Sequence, residues 1–274
     1  MKNFELEKTQ EMLTNMLISF HELCIKNGLR YYMVGGTCIG ALRHKGFIPW
    51  DDDVDVAMPR EDYQILLSLN EDCFSEEIKP MFYRNRSGCP IHFLRLVNIN
   101  TTLIEDAYHN YVEGVYLDIF PLDGVKKEEL ENTSRLEKIW NLHAMIMKHC
   151  STNQYTSFKV KFKAFVSKTV PLGILHRLLE YEMNKYDLNE TGYCANFLGA
   201  YGMKEVVPVD YFGKPKLYQF EGYELFGPEQ AEKYLNHIYG DYTKLPSPDK
   251  RVCRHDQFYI NLELPMKEYI ANGR

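Results

Sequence analysis

The chain lacks most features that would assign it to a class at once. It has no CxxC pair, and its seven cysteines, Cys24, Cys38, Cys73, Cys89, Cys150, Cys194 and Cys253, are scattered and odd in number. That argues against a disulfide framework and a thiolate zinc site, and fits a reducing cytoplasm. The thiols read as small buried hydrophobes. No apolar run is long enough to cross a bilayer. The first residues, MKNFELEKTQEML, are polar with helical spacing, unlike a signal peptide. Excess positive charge is missing too: the net charge of −6 argues against wholesale nucleic-acid binding. No internal repeat and no low-complexity linker occur. What is present is a globular composition, 45% hydrophobic and 26% charged, long enough at 274 residues to bury a sizeable core. Aromatic residues are abundant, 20 Tyr and 15 Phe, enough for a core and for lining a pocket for a sugar or a quaternary ammonium.

One segment lacks negative charge altogether. From Lys138 to Leu179 there is no Asp or Glu, while Lys138, Lys148, Lys159, Lys161, Lys163, Lys168 and Arg177 are interleaved with Trp140, Phe158, Phe162 and Phe165. SFKVKFKA alternates like a strand, but the wider spacing of Phe158, Phe162, Phe165, Val166 and Val170 predicts a helix. The composition shift marks a basic helical insertion at about 126–190. Such a surface suits anionic membrane lipid or a lipid-linked acceptor, or is simply a solvated insertion; both readings stay open here.

The remaining pattern alternates helices and strands. Met12, Leu13, Met16, Leu17, Phe20, Leu23 and Cys24 predict a first helix, stopped at Asn27-Gly28. A strand over 29–34 is expected to end at Gly35-Gly36, with Thr37 capping a short helix over 38–44. DVDVAM (53–58) reads as a second strand, and PREDYQILLSLN as a helix. Strands are expected over 91–99, 101–108 and 114–120, with FPLDGV as a turn out of the sheet. The fold class is therefore α/β, in the α+β sense: a mixed, mostly antiparallel sheet flanked by helices, in one domain carrying the insertion.

The chemistry concentrates at GGTCIGALRHKGFIPWDDDVDVAMPREDY, residues 35–63. Strand side chains alternate faces, so Asp53 and Asp55 point the same way. Two carboxylates so placed repel unless a cation lies between them, and hard divalent ions such as Mg2+ prefer oxygen ligands. Asp51 shares their parity; Asp52 does not and reads as a turn or capping residue. Asp118, in YLDIF, is the expected third carboxylate, because a lone Asp in a buried strand needs a partner and a metal ion would supply one. Clustered aspartates also mark solvated turns and structural calcium loops, but alternation is present and EF-hand spacing is not. Gly35, Gly36 and Thr37 at a helix start offer amides to phosphate, with Arg43, His44 and Lys45 adding positive charge nearby. The last three also read as helix C-terminal charges. In order, these pieces suit a metal-bridged nucleoside diphosphate.

GG followed by alternating aspartates on the next strand, with a third Asp on a later one, resembles the nucleotidyltransferase signature. Residues 35–63, with TTLIE (101–105), GVYLDIFPLDG (114–124), FEGYELFGP (220–228) and YGDYTKLPSPDKR (239–251), closely resemble the LicD family, related to fukutin and fukutin-related protein. The resemblance implies transfer of a phospho-alcohol, typically phosphocholine from CDP-choline, to a glycan precursor of teichoic-acid or lipopolysaccharide type, releasing CMP. The acceptor is expected to be lipid-linked and the chain cytoplasmic, at the inner face of the membrane. Asp53, Asp55 and Asp118 would then hold Mg2+ (or Mn2+), and Asp118 would complete the site or take the acceptor proton. Gly35, Gly36, Thr37, Arg43, His44 and Lys45 would lie near the diphosphate. Arg254 and His255 are weaker candidates for phosphate contacts. Trp50 is the first candidate for a choline cage, against simple packing under the acidic strand. The fukutin-related zinc element has clustered cysteines that are missing here, so no zinc is expected. A ribitol or glycerol donor, nucleotidyl transfer, and nucleotide binding without catalysis remain as alternatives.

Overall fold

A computed structural model describes residues 3–253 and 257–273. The first amphipathic run forms α1 (Asn3–Asn27), which buries Leu13, Leu17, Phe20 and Cys24 at three- to four-residue spacing. It ends at Gly28, whose φ of +65° takes the left-handed cap conformation. A two-residue strand, β1 (Tyr32–Met33), stands where a longer one was expected. The glycine pair does not end that strand; it opens the next helix, α2 (Gly35–Arg43). Val34 is its N-cap and no side chain caps it. Thr37 is not the cap: its hydroxyl accepts the Asp55 N–H at 2.9 Å and ties α2 to the next strand.

That strand is β2 (Asp55–Pro59), followed by α3 (Arg60–Ser68), β3 (Ile78–Met81), β4 (Leu94–Asn98), β5 (Thr102–Glu105) and β6 (Tyr116–Val125). The sheet order is β1-β2-β6-β4-β3. β2 and β6 are parallel, with Asp55 opposite Asp118, whereas β1–β2, β4–β6 and β3–β4 are antiparallel. Val56, Leu94, Leu117 and Ile119 are fully buried in this sheet. Each such side chain contributes about 2 kcal/mol through burial.

FPLDGV is not a turn. It continues β6, whose last residues, Asp123 to Val125, pair with β7 (Tyr193–Ala195). Pro121 is tolerated because β4 stops pairing at Ile119, so no N–H is required there on that side. Gly124 is needed because a Cβ would stand 2.8 Å from the Tyr186 carbonyl oxygen. Asp123, fully buried, receives two hydrogen bonds of 2.6 Å from Arg60 at the start of α3.

Between β6 and β7 the chain leaves the sheet as α4 (Ser134–Cys150), α5 (Phe158–Thr169) and α6 (Leu172–Met183). SFKVKFKA is thus largely helical. β8 (Val206–Pro208) pairs with β7, and β9 (Lys216–Phe220) and β10 (Tyr223–Gly227) form a hairpin. α7 (Ala231–Tyr239), β11 (Gln257–Asn261) and α8 (Met266–Ala271) complete the order. The strand expected over 101–108 is shorter and pairs with β11 outside the central sheet. Among the described residues no helix is long and apolar enough to cross a membrane.

Candidate active site

Parallel pairing of β2 with β6 brings Asp55 and Asp118 side by side. A cavity of about 310 Å3 opens there, lined by Asp51, Asp53, Asp55 and Asp118 and by Gly35 and Gly36. The regular strand begins only at Asp55, yet the parity expected for a strand persists through the segment before it. Asp51, Asp53 and Asp55 line the cavity; Asp52 is buried, and its carboxylate accepts the Gln257 side-chain amide of β11 at 2.9 Å. One oxygen from each of Asp51, Asp52 and Asp53 can lie within 4.8 Å of the others.

The glycine pair has a concrete reason. A Cβ on Gly36 would stand 2.5 Å from Asp51 Oδ2, and one on Gly35, at φ +57°, would stand 3.0 Å from Asp55 Oδ2. Only residues without Cβ let the carboxylates approach the first turn of α2. Asp55 is braced on its backbone as well: its carbonyl accepts the Val34 N–H at 3.1 Å.

Asp118 already has a protein partner, Arg95, beside whatever the cavity holds. Arg95 stands opposite Asp118 in the β4–β6 register and donates Nε–H to Asp118 Oδ1 at 2.8 Å. Nη1 of the same guanidinium lies 2.6 Å from Glu113 and 2.9 Å from Glu105, and its plane sits over the Tyr116 ring, 3.6 Å from the centroid. Among the described residues these three carboxylates share the Arg95 guanidinium. Burial pushes the Glu113 carboxyl up to about 8, opposed by Arg95, and its Oε2 finds no hydrogen-bond partner among the described residues. Burial, again opposed by Arg95, pushes Asp118 up to about 6. The pairing aligns Asp118 and leaves it on the cavity wall.

The basic residues divide. Arg43 lines a second cavity of about 350 Å3, and its Nη1–H donates to the Tyr242 carbonyl at 2.8 Å. His44 and Lys45 are not brought to either cavity. His44 Nε2 accepts from Arg43 Nε at 2.9 Å, and burial together with Arg43 pushes its pKa down. Lys45 is exposed, in a left-handed conformation at φ 62°. Thr37 spends its hydroxyl on Asp55 and is not in the lining. Arg254 and His255 lie outside the described residues.

The opposite wall comes from the last third of the chain, where only Tyr239 falls in a stretch that carried the resemblance. Glu205, Tyr201, Tyr234 and Tyr239 face the aspartates across the first cavity. Glu205 is an isolated acid between β7 and β8, without alternation or motif. Burial pushes it up to about 7, opposed by a hydrogen bond from the Tyr201 N–H. Burial also raises the Tyr234 and Tyr239 phenols, so both stay protonated donors. The second cavity shares Gly36, Asp51, Tyr201 and Tyr239 with the first and adds Trp50, Tyr242, Lys244 and Lys250. Trp50 therefore stands on a cavity wall, half-buried.

Residues 28–162 match a family described as LicD/FKTN/FKRP, nucleotidyltransferase domain. These residues form a LicD-family domain. The chain is 28% identical over 275 residues to the lipopolysaccharide cholinephosphotransferase LicD of Haemophilus influenzae, covering 94% of this chain and 98% of that protein. A stretch of 35 residues is 51% identical to the human ribitol 5-phosphate transferase FKRP, 13% of this chain and 7% of that protein. A stretch of 87 residues is 33% identical to the uncharacterized protein RP689 of Rickettsia prowazekii, 32% of this chain and 29% of that protein. The LicD-family domain holds the four aspartates and the glycine pair; Glu205 and the tyrosines lie C-terminal to it.

The donor set of the LicD-family domain fits a hard divalent cation. Among the described residues every charged group lining the first cavity is a carboxylate, and Gly35 and Gly36 leave the space that two of them occupy. Among the described residues no cysteine lines that cavity, and burial pushes the neighbouring Cys38 thiol up.

Proposed function

We propose that this chain transfers phosphocholine from CDP-choline to a hydroxyl of a cell-surface glycan precursor, releasing CMP, with Mg2+ held by Asp53, Asp55 and Asp118. The observation that carries the reading is the four-aspartate cavity at the glycine pair, opening into a second cavity with cations and aromatic rings. The resemblance along 94% of the chain to a cholinephosphotransferase supports the choice of alcohol. Ribitol phosphate is the second reading, favoured by the short match to a ribitol 5-phosphate transferase.

Magnesium, when bound, neutralises diphosphate charge and stabilises the charge that develops during transfer. The acceptor oxygen attacks the phosphorus bearing the alcohol; a new P–O bond forms, the bond to the bridging oxygen breaks, and CMP leaves. Glu205, facing the aspartates with a pKa near 7, takes the hydroxyl proton. Arg95 keeps Asp118 aligned, and the Tyr234 and Tyr239 phenols offer donors to phosphate oxygens. Arg43, Lys244 and Lys250 supply positive charge to the nucleotide side, and Trp50 with Tyr242 offers rings to a choline cation.

The test is a screen of CDP-choline, CDP-ribitol and CDP-glycerol for Mg2+-dependent CMP release, with Asp55→Asn as control. Choline turnover lost in Asp55→Asn is expected. Turnover of no CDP-alcohol by the wild-type chain refutes the proposal, and a nucleotidylated acceptor found by mass analysis replaces it with nucleotidyl transfer.

A further inference from the structure

The helices between β6 and β7 present an outer face that the transfer reaction does not use. α5 packs against α4 through buried Ala164 and Ser167, with Val160 half-buried beside them. At about 100° per residue these three share one side of the helix. Phe158, Phe162, Phe165 and Val166 occupy an arc of about 100° on the opposite side. That arc is open to solvent: Phe158 is 83% exposed, Phe165 67% and Phe162 59%. Lys159 and Lys163 run along one edge of the stripe, and Lys161 and Lys168 along the other, all exposed. α6 extends the apolar surface with exposed Ile174, Leu178 and Tyr181, turned away from buried Leu175, Leu179 and Met183, but it has no lysine rails: it carries Arg177, and Glu180 and Glu182 flank Tyr181.

A helix made for water carries its lysines outermost and hides its phenylalanines. Here the phenylalanines stand outermost and the lysines form two rails beside them. Lysine stems extend along such a stripe and carry their ammonium groups to the headgroup level. Charge selects the occupant. The chain is net −6, yet this segment holds no Asp or Glu from Lys138 to Leu179. A second copy would bring lysine rail against lysine rail, which repels.

We propose that the α5 face, extended by α6, docks on an anionic lipid bilayer, with the phenylalanines in the acyl boundary and the lysines at the lipid phosphates. The proposal is independent of which alcohol is transferred. It is tested by co-sedimentation of the full chain with vesicles of phosphatidylglycerol and phosphatidylcholine, against vesicles of phosphatidylcholine alone. Binding at least about tenfold stronger to the anionic vesicles, weakening as salt is added, is expected. Phe158→Ser, Phe162→Ser and Phe165→Ser together, and separately the four lysines of α5 changed to Glu, each lower that binding by about tenfold or more. Circular dichroism and CMP release in solution stay unchanged, since these side chains touch neither cavity. Absence of wild-type binding to anionic vesicles, or binding by both variants equal to wild type, overturns the proposal. So does a wild-type dimer that the serine variant dissociates without any effect on vesicle binding.

Discussion

Glutamine in place of Glu205 keeps the side chain's shape but removes its ability to ionise. Glu205 titrates near 4.5 when unperturbed, and in the folded chain burial raises it to about 7. Between these two values the folded state binds the proton more tightly than the unfolded chain does. The contribution to stability is therefore most favourable below pH 4.5, falls as pH rises through the interval, and is least favourable above pH 7. At about 1.4 kcal/mol per pH unit the cost of ionising this carboxyl in place is about 3 kcal/mol. Glu205→Gln escapes it. Urea unfolding with EDTA present should find the variant about 3 kcal/mol more stable than wild type at alkaline pH, with the advantage shrinking towards pH 4.5. Loss of a proton acceptor lowers the rate of transfer by about 100-fold or more. The wild-type rate should also rise with pH through a pKa near 7, and that limb should vanish in the variant. A variant no more stable than wild type at alkaline pH would show that Glu205 is not held against ionisation. Undiminished transfer would remove it from the chemistry.

Gly36→Ala should fold normally, helped by up to about 1 kcal/mol of helix propensity. The Cβ placed 2.5 Å from Asp51 Oδ2 should nevertheless displace that carboxylate, lowering CMP release about tenfold or more; an unchanged rate would show that Asp51 is not part of the site. Arg95→Leu removes the guanidinium paired with buried Glu113 and Asp118 and should cost about 3–5 kcal/mol in urea unfolding, with part recovered by adding Glu113→Gln. A loss under about 1 kcal/mol would mean that the cluster is solvated and unimportant. Trp50→Ala should raise KM for CDP-choline up to about thirtyfold, the worth of about 2 kcal/mol of cation–π attraction, with less effect for CDP-glycerol. Equal effects on both donors would assign Trp50 to the nucleotide.

The aspartates closest in sequence were the easiest to read. Alternation over 51–55 separates Asp52 from Asp51, Asp53 and Asp55, and the structure keeps that division although the regular strand starts only at Asp55. The lone Asp118 in a hydrophobic run was visible because a buried charge needs a partner. The four- and three-residue spacing of Phe158, Phe162 and Phe165 likewise made a helix legible against an alternating local pattern. Local signals failed where a neighbouring strand decided the outcome. Pro121 and Gly124 suggested a turn, yet β6 runs through both because β4 has stopped pairing and a loop carbonyl crowds the glycine.

The chain by itself determined what is carried on one element: the alternating aspartates, the glycine pair without Cβ, and the acid-free amphipathic helix. Tertiary structure alone decided the partners. Arg95 meets Asp118 only through the register of β4 on β6, and Glu205, Tyr234 and Tyr239 reach the cavity only through β7, β8 and α7. Periodicity records which way a side chain points relative to its own backbone; what it points at is set by strand register and helix packing between residues far apart along the chain.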